Sequence, residues 1–450
     1  MNNSRSAGEE LRRVHYLVFL SFALGFLIWG FVSTSGIMTI NYFKDYVPQW
    51  LLPLSVVIGY VFVVLGDFTM GVLTDRLGRK RIFVYTMSMY TIGLLGMAAS
   101  LYVKQLVNPM VAFTVFMVSY ALAEFGVGGE EPPALAAITE LMPSGSRGMM
   151  LVLTPNFDNV GAALAAAILY VSLLLTGQAS VPSIYAMIGS ALVVVFITLI
   201  VRLSIPESVK WLEARGRVNE AIEVARREGL EYVLSKGGST IQLKAPPAWF
   251  RALFLSIIGF VQITTYGLMA YTIIYLPSLP FSSNSELQSL VVLFANLGAS
   301  IAGLIGFWVD AIGRRPFTLL SYVGGLLTMV PIFLIYAAIN TPLRSSLPVF
   351  YVLLFLNMAF SEFGWAVRTL LEPELFPTRA RGTWIGVIRL IAWGIFIVLT
   401  YYLLSTLNTY QYLLVNLILY AIGALASIAW YIWGVETRGV PVSILDEAMG

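Results

Sequence analysis

Long apolar runs separated by short polar breaks recur along the whole chain. Twelve of them are long enough to cross about 30 Å of hydrocarbon as helices. They lie near 15–40, 50–73, 82–103, 110–139, 149–175, 181–203, 251–276, 287–309, 316–338, 347–371, 383–404 and 410–433. The first run is too long for the apolar core of a secretory signal, so it reads as the first span. Only one polar stretch is long, 204–249. Within it Trp211, Leu212, Ala221, Ile222 and Val224 recur as an apolar side. It is too charged to span and predicts short helices lying against the bundle. The pattern therefore divides the chain into a first half, 1–203, a polar linker, 204–249, and a second half, 250–450.

Basic residues set the expected orientation. With the N-terminus in the cytoplasm, the inner segments carry 22 lysines and arginines and the outer loops only Lys44, Lys104 and Arg344. Arg368 and Arg389 fall inside spans. The asymmetry predicts twelve spans with both termini cytoplasmic, in the cell membrane.

The breaks between spans carry repeated words. Residues 71–80 read GVLTDRLGRK and 306–315 read GFWVDAIGRR, so G-x-x-x-D-x-x-G-R-[RK] occurs twice, 235 positions apart. A second pattern, E-x-x-P-x-x-x-R-G, occurs at Glu140–Gly148 and at Glu374–Gly382, 234 positions apart. Two motifs with nearly one offset, close to half the chain, predict two copies of a six-helix membrane unit. In the first motif, Gly78 and Gly313 are expected to allow left-handed turns. Asp75 and Asp310 can accept hydrogen bonds near a neighbouring helix N-terminus. The arginines, Arg79 and Arg314 among them, are expected to anchor in phosphate headgroups.

These residues resemble the major facilitator superfamily, whose signature loop is the first motif, and the resemblance covers essentially the whole chain. PESVKWLEARGRVNEA (206–221), ELMPSGSRG (140–148) and PELFPTRARG (373–382) look like the branch containing sugar porters, organic-ion transporters and aromatic-acid carriers. The resemblance implies an all-α membrane protein, with twelve helices in two pseudo-symmetric bundles that rock about a midplane site. It also implies a cytoplasmic gate in which Glu140, Arg147, Glu374 and Arg381 join Asp75, Arg79, Asp310 and Arg314 in charge networks that break as the inside opens. Hexose porters usually carry Q-Q-x-x-G-x-N in the seventh span; here that region reads VQITTYGLMAYTIIYLP (261–277). The tenth span reads EFGWAVRTLLEPELFPT (362–378) and lacks the porters' G-P-x-x-W. Both departures favour organic-ion and aromatic-acid carriers over sugar porters. Tyr266, Tyr271, Trp365 and Trp393 lie on spans that line the central cavity in this family and are candidates to stack on an organic ring.

Charges at membrane depth are costly and usually face an internal cavity. Glu131, Asp158, Arg368 and Arg389 all lie roughly 12–18 Å along their helices from the motifs at the inner face. The four are expected to reach one region, with acids on the first half's wall and arginines on the second's. Asp158 and Glu131 are the leading proton-coupling candidates, followed by Glu130 and Glu124. Glu130 and Glu131 precede Pro132-Pro133, which must break the helix. Arg368 and Glu372 stand at i,i+4 and can pair with each other. Arg389 has no acid at helical spacing, so it and Arg368 are candidates to bind a substrate carboxylate bidentately. Asp67 is expected to belong to the loop network, and Glu124 and Glu362, in matching A/S-E-F-G contexts, to act structurally.

Composition narrows the remaining classes. The chain is 58% hydrophobic and 11% charged, which makes the bilayer its solvent. It has no cysteine, and its one histidine, His15, precedes most of the first span. A metal site, a bound cofactor or an enzyme's nucleophile is therefore not expected. The net charge of +3 does not point to nucleic acid, and no G-x-x-x-x-G-K-[ST] loop supports ATP drive. The expected protein is a monomeric secondary transporter, driven by protons, for a small organic solute. An organic anion is favoured, a sugar is the alternative, and a receptor or channel of the same fold is a third reading.

Overall fold

The computed structural model describes all residues except 1–10, 178–179, 235–242, 277–278, 280, 282–283 and 407. Arg5, Lys236 and Pro277 thus lie outside the described residues.

Among the described residues, twelve helices are long and apolar enough to cross a membrane: α1 (Arg13–Tyr46), α2 (Leu51–Leu77), α3 (Arg79–Lys104), α4 (Pro109–Leu141), α5 (Arg147–Leu175), α6 (Ser180–Arg202), α7 (Ala248–Ala270), α8 (Ser285–Val309), α9 (Arg314–Ala338), α10 (Leu347–Glu374), α11 (Arg381–Ser405) and α12 (Thr409–Trp433). Each matches one predicted apolar run within a few residues. Ends follow local chemistry. Asn108 accepts the Met110 N–H at 2.7 Å and is followed by Pro109, a cap and a first-turn proline at the start of α4. Helix α4 breaks where the sequence demands it, between Gly128 and Glu131, and resumes with Pro132-Pro133 in its first turn. The linker forms short helices at Val209–Ala214, Val218–Glu228 and Glu231–Leu234. A last helix, Val442–Met449, follows α12.

The packing repeats with a shift of six helices. In the first half α3 meets α4, α1 meets α5 and α6, and α2 meets α4; in the second α9 meets α10, α7 meets α11 and α12, and α8 meets α10. The halves meet through α2 on α11 and α5 on α8, again one relation used twice. Glycines permit these close crossings, because small residues let helix backbones approach in a membrane. A Cβ on Gly71 of α2 would lie 2.7 Å from the Gly382 carbonyl oxygen of α11. Apolar side chains such as Leu175 and Val398 remain exposed on the outer wall, where lipid replaces protein contacts.

The two signature loops are less alike than their sequences. Gly78 has φ +97° and needs to be glycine. Gly313 has φ −66° and ψ 146°, ordinary extended backbone, which corrects the expectation of a left-handed turn. Helix α8 already ends at Val309, and the turn at Asp310–Ile312 reverses the chain before Gly313 is reached.

Candidate functional site

Both signature loops lie at one end of the bundle, the arginine-rich end. Two repeat-related clusters close it. Glu140 accepts from Arg79 (Nη2 to Oε1 2.7 Å), from Arg381 of the other half (3.1 Å) and from Ser208 Oγ (2.5 Å). Glu374 accepts from Arg314 (3.2 Å), from Arg147 of the other half (2.9 Å) and from Thr437 Oγ1 (2.6 Å). All four arginines are at most 2% exposed. Arg79 and Arg314 therefore do not anchor in headgroups, since each is drawn inward by a buried carboxylate. The pairs also cross over. Arg147 bonds Glu374 and Arg381 bonds Glu140, rather than each arginine bonding the acid of its own motif. The reason is that the helix following each motif is the one that faces the other half.

Asp75 and Asp310 do meet helix N-termini of the opposite half. Asp75 accepts the Thr383 N–H and hydroxyl, both at 2.8 Å, and Asp310 accepts the Met149 N–H at 2.8 Å. Glu207 accepts the N–H groups of Arg79 (3.0 Å) and Lys80 (3.3 Å); Glu436 accepts those of Arg314 (2.9 Å) and Arg315 (3.3 Å). Burial raises the Glu207 carboxyl above its ordinary range, opposed by the N–H groups of Ser208, Arg79 and Lys80. The pairing of Glu207-Ser208 with Glu436-Thr437 is a third repeat, unread in the sequence because only the acid and a hydroxyl are shared. Asp446 of the last helix also holds Arg381 at 3.1 Å and was likewise missed.

At the opposite end the halves are tied by neutral groups. Asn41 Nδ2 donates to Gln288 Oε1 at 2.6 Å, and Tyr275 Oη to the Ile37 carbonyl at 3.0 Å. With both ends bridged, the space between the halves is a small cavity of about 60 Å³, enough for a few waters.

Its wall gathers Asp158, Glu131, Arg368, Arg389, Tyr266, Tyr271, Trp365 and Trp393, together with Trp29, Tyr60 and Gln262. Arg389 has no acid at helical spacing on its own helix. It pairs instead with Asp67 (2.9 Å) and with Glu131, both on the other half. Asp67 thus pairs with a cavity-lining arginine and not with the loop network: it stands two turns above Asp75, where α2 lies on α11. Trp365 Nε1 donates to Glu131 Oε1 at 3.3 Å, so Glu131 too has partners the sequence did not reveal. Arg368 makes the i,i+4 pair with Glu372 (3.0 Å) and donates to Gln262 Oε1 (2.6 Å), yet still faces the cavity. Among the described residues, no arginine or lysine pairs with Asp158. Glycines set its place: α1 and α5 cross where Gly30 meets the Asp158 carbonyl and Gly161 meets that of Leu27.

Glu130 and Glu124 do not line this cavity. Glu130 turns into the first half and is held by both terminal nitrogens of Arg202 and by Thr86 Oγ1 (3.0 Å). Glu124 accepts from Ser33 Oγ at 3.0 Å. Glu362 accepts from Asn159 Nδ2 of the other half at 2.7 Å. Tyr266 Oη lies 2.6 Å from Asn296 Oδ1 and 3.1 Å from Asn159 Oδ1, and its ring meets that of Tyr271 edge-on at 5.7 Å.

Comparison with known proteins agrees with this architecture. Residues 48–448 match the family model described as "Sugar (and other) transporter". The niacin transporter NiaP of Acinetobacter baylyi is 26% identical over 343 residues, covering 71% of this chain and 73% of that protein. The glucose transporter GlcP of Staphylococcus epidermidis is 27% identical over 403 residues, covering 84% of each. Among solved structures, the proton:xylose symporter XylE bound to 6-bromo-6-deoxy-D-glucose superposes with a TM-score of 0.78 at 18% identity, over 97% of this chain and 99% of that one.

Proposed function

The chain belongs to the sugar (and other) transporter family of the major facilitator superfamily, and from that premise we propose that it is a proton-coupled symporter for a small organic carboxylate. Residues 1–203 and 250–450 are the rocking bodies, 204–249 joins them, and the arginine-rich end with both termini faces the cytoplasm of a cell membrane. The single supporting observation is the charge balance of the cavity. Two carboxyls, Glu131 and Asp158, and two guanidiniums, Arg368 and Arg389, line it, and two further buried carboxyls, Asp67 and Glu372, pair with those arginines. Were all six ionised, the cavity would repel an anion, and an uncompensated buried charge is costly. Protons taken up with the substrate remove that excess. A proton on Asp158 cancels a charge that, among the described residues, no arginine or lysine pairs with. A proton on Glu131 leaves Arg389 with Asp67 alone and frees a guanidinium edge for the substrate carboxylate. The aromatic walls, Tyr266, Tyr271, Trp365 and Trp393, then stack on the organic body.

A sugar substrate is the second reading, favoured by one observation: each cavity arginine already holds an acid partner. Uptake into proteoliposomes under an inward proton gradient separates the two, with labelled nicotinate and benzoate set against glucose and xylose. Wild type is expected to concentrate a carboxylate. Asp158→Asn is expected to abolish uphill accumulation while counterflow exchange stays within tenfold. Concentration of a sugar, with no carboxylate competing, would replace the anion reading by the sugar reading.

A further inference from the structure

A larger open space lies away from the central cavity, and it breaks the symmetry of the two halves. Between α3 and α6 runs a groove of about 660 Å³ that faces the membrane. Its walls are apolar, formed by Met87 and Leu95 on α3 and Val195 and Leu199 on α6, with Phe22 of α1 and Ala137 of α4 behind them. The corresponding seam in the second half, between α9 and α12, is filled by protein. There Gly325 admits the Tyr420 ring, on which a Cβ would close to 2.6 Å, and Tyr420 Oη donates to Asn357 at 3.1 Å. The contacts of α9 with α12 run far more densely than those of α3 with α6.

The basic residue at the end of each seam follows the same division. Arg315 closes its seam, donating to the Tyr431 and Ile432 carbonyls and lying 5.5 Å from the centre of the Tyr431 ring. Its counterpart in the repeated motif is Lys80, which lines the mouth of the open groove. Lys80 is exposed, and among the described residues its ammonium makes no ion pair. Arg81 beside it is exposed as well. The other cations of the groove are committed, Arg79 to Glu140 and Arg202 to Glu130. Glu207, whose carboxylate accepts the Lys80 backbone N–H, spends both oxygens on backbone N–H groups.

An apolar slot open to the bilayer, ending at an exposed lysine, Lys80, is complementary to an acyl chain below an anionic headgroup. We infer that the α3/α6 groove is a binding site for one anionic phospholipid, its acyl chain between the helices and its phosphate on Lys80. The inference rests on the proposed reading only in placing this lipid in the cytoplasmic leaflet. The groove floor includes Ser208, which bonds Glu140, so a seated lipid braces the first half beside the gate.

The test is lipid retention by the purified full chain, read by native mass spectrometry. Detergent-solubilised protein is equilibrated with phosphatidylglycerol and phosphatidylcholine of identical acyl chains. Wild type is expected to keep one phosphatidylglycerol with roughly fivefold preference, the scale of one lysine near an anionic headgroup. Lys80→Gln is expected to bring the preference close to one. Ser88→Trp, which fills the groove from a lipid-facing position, is expected to lose retention of both lipids. Equal retention of the two lipids by wild type would overturn the site. So would an unchanged preference in Lys80→Gln, or wild-type retention in a monodisperse Ser88→Trp. None of these readouts uses a transported substrate, so failure here is distinct from failure of the symporter reading.

Discussion

The arginine-rich end and the central cavity are built from the same two repeats, yet they obey different rules. At the arginine-rich end the motif groups on one half have counterparts on the other: Glu140 and Glu374, Arg79 and Arg314, Arg147 and Arg381, Asp75 and Asp310. In the cavity the correspondence fails. Shifted by the motif offset of 234, Glu131 and Asp158 fall on Trp365 and Ala392, and Arg368 and Arg389 fall on Ala134 and Pro155. The lining acids, Glu131 and Asp158, stand on one wall and the arginines on the other. The difference teaches that the repeat builds the paired clusters of the arginine-rich end alike on both halves, whereas the proposed substrate and coupling groups come from where the halves differ.

The sharpest way to break the comparison is at Arg389. Arg389→Gln leaves Asp67 and Glu131 without a cation in a buried site, a loss of roughly 3–5 kcal/mol of pairing. Proton-driven uptake is expected to fall at least a hundredfold, and Arg389→Lys to recover part of it. Wild-type uptake rates in Arg389→Gln would remove the cavity pair from the mechanism.

Gate substitutions are expected to act next most strongly, and on conformation more than on binding. Arg147→Ala leaves Glu374 with Arg314 alone, and Arg381→Ala leaves Glu140 with Arg79 alone. Both are expected to widen spin-label distances across the arginine-rich end and to slow uptake about tenfold or more, with ligand affinity changed less than threefold. If the gate is symmetric in energy as in geometry, the two variants match within about a factor of three. A large effect in one and none in the other would end the symmetry argument.

At the opposite end a weaker effect is expected. Asn41→Ala removes one neutral hydrogen bond, worth about 1 kcal/mol. The population open at that end should rise about fivefold, read by labels placed there, with the arginine-rich end unmoved.

The smallest expected effect concerns pH. The folded-state pKa of Glu207 is raised, so its stabilising contribution is complete below the ordinary carboxylate range and is lost as pH rises through the raised value. Thermal stability of wild type should decline over that interval. In Glu207→Gln that step should be absent, and an identical pH profile for the two proteins would contradict the assignment.

Much of this protein is written in its order of residues. Runs of apolar side chains long enough for hydrocarbon leave no choice but helices, because an unpaired backbone amide in lipid is too costly. The two motifs, 234 and 235 positions apart, announce the repeat, and Pro132-Pro133 announces the break in α4. The membership of the cavity was also legible for Glu131, Asp158, Arg368 and Arg389, since depth along a helix follows from counting residues from a motif. Partners were not legible. Arg389 finds Asp67 and Glu131 only because α11 lies on α2 and beside the second part of α4. Glu130 is drawn to Arg202 and away from the cavity, although it neighbours Glu131, because it stands in the break of α4 while Glu131 opens the next helical segment. The exchange of Arg147 and Arg381 between motifs, and the open seam beside Lys80 where Arg315 closes its own, were likewise decided in three dimensions. Sequence fixes which groups reach a given depth; only the packing of one helix against another decides which groups meet there, because that depends on rotation and crossing, which spacing along the chain does not encode.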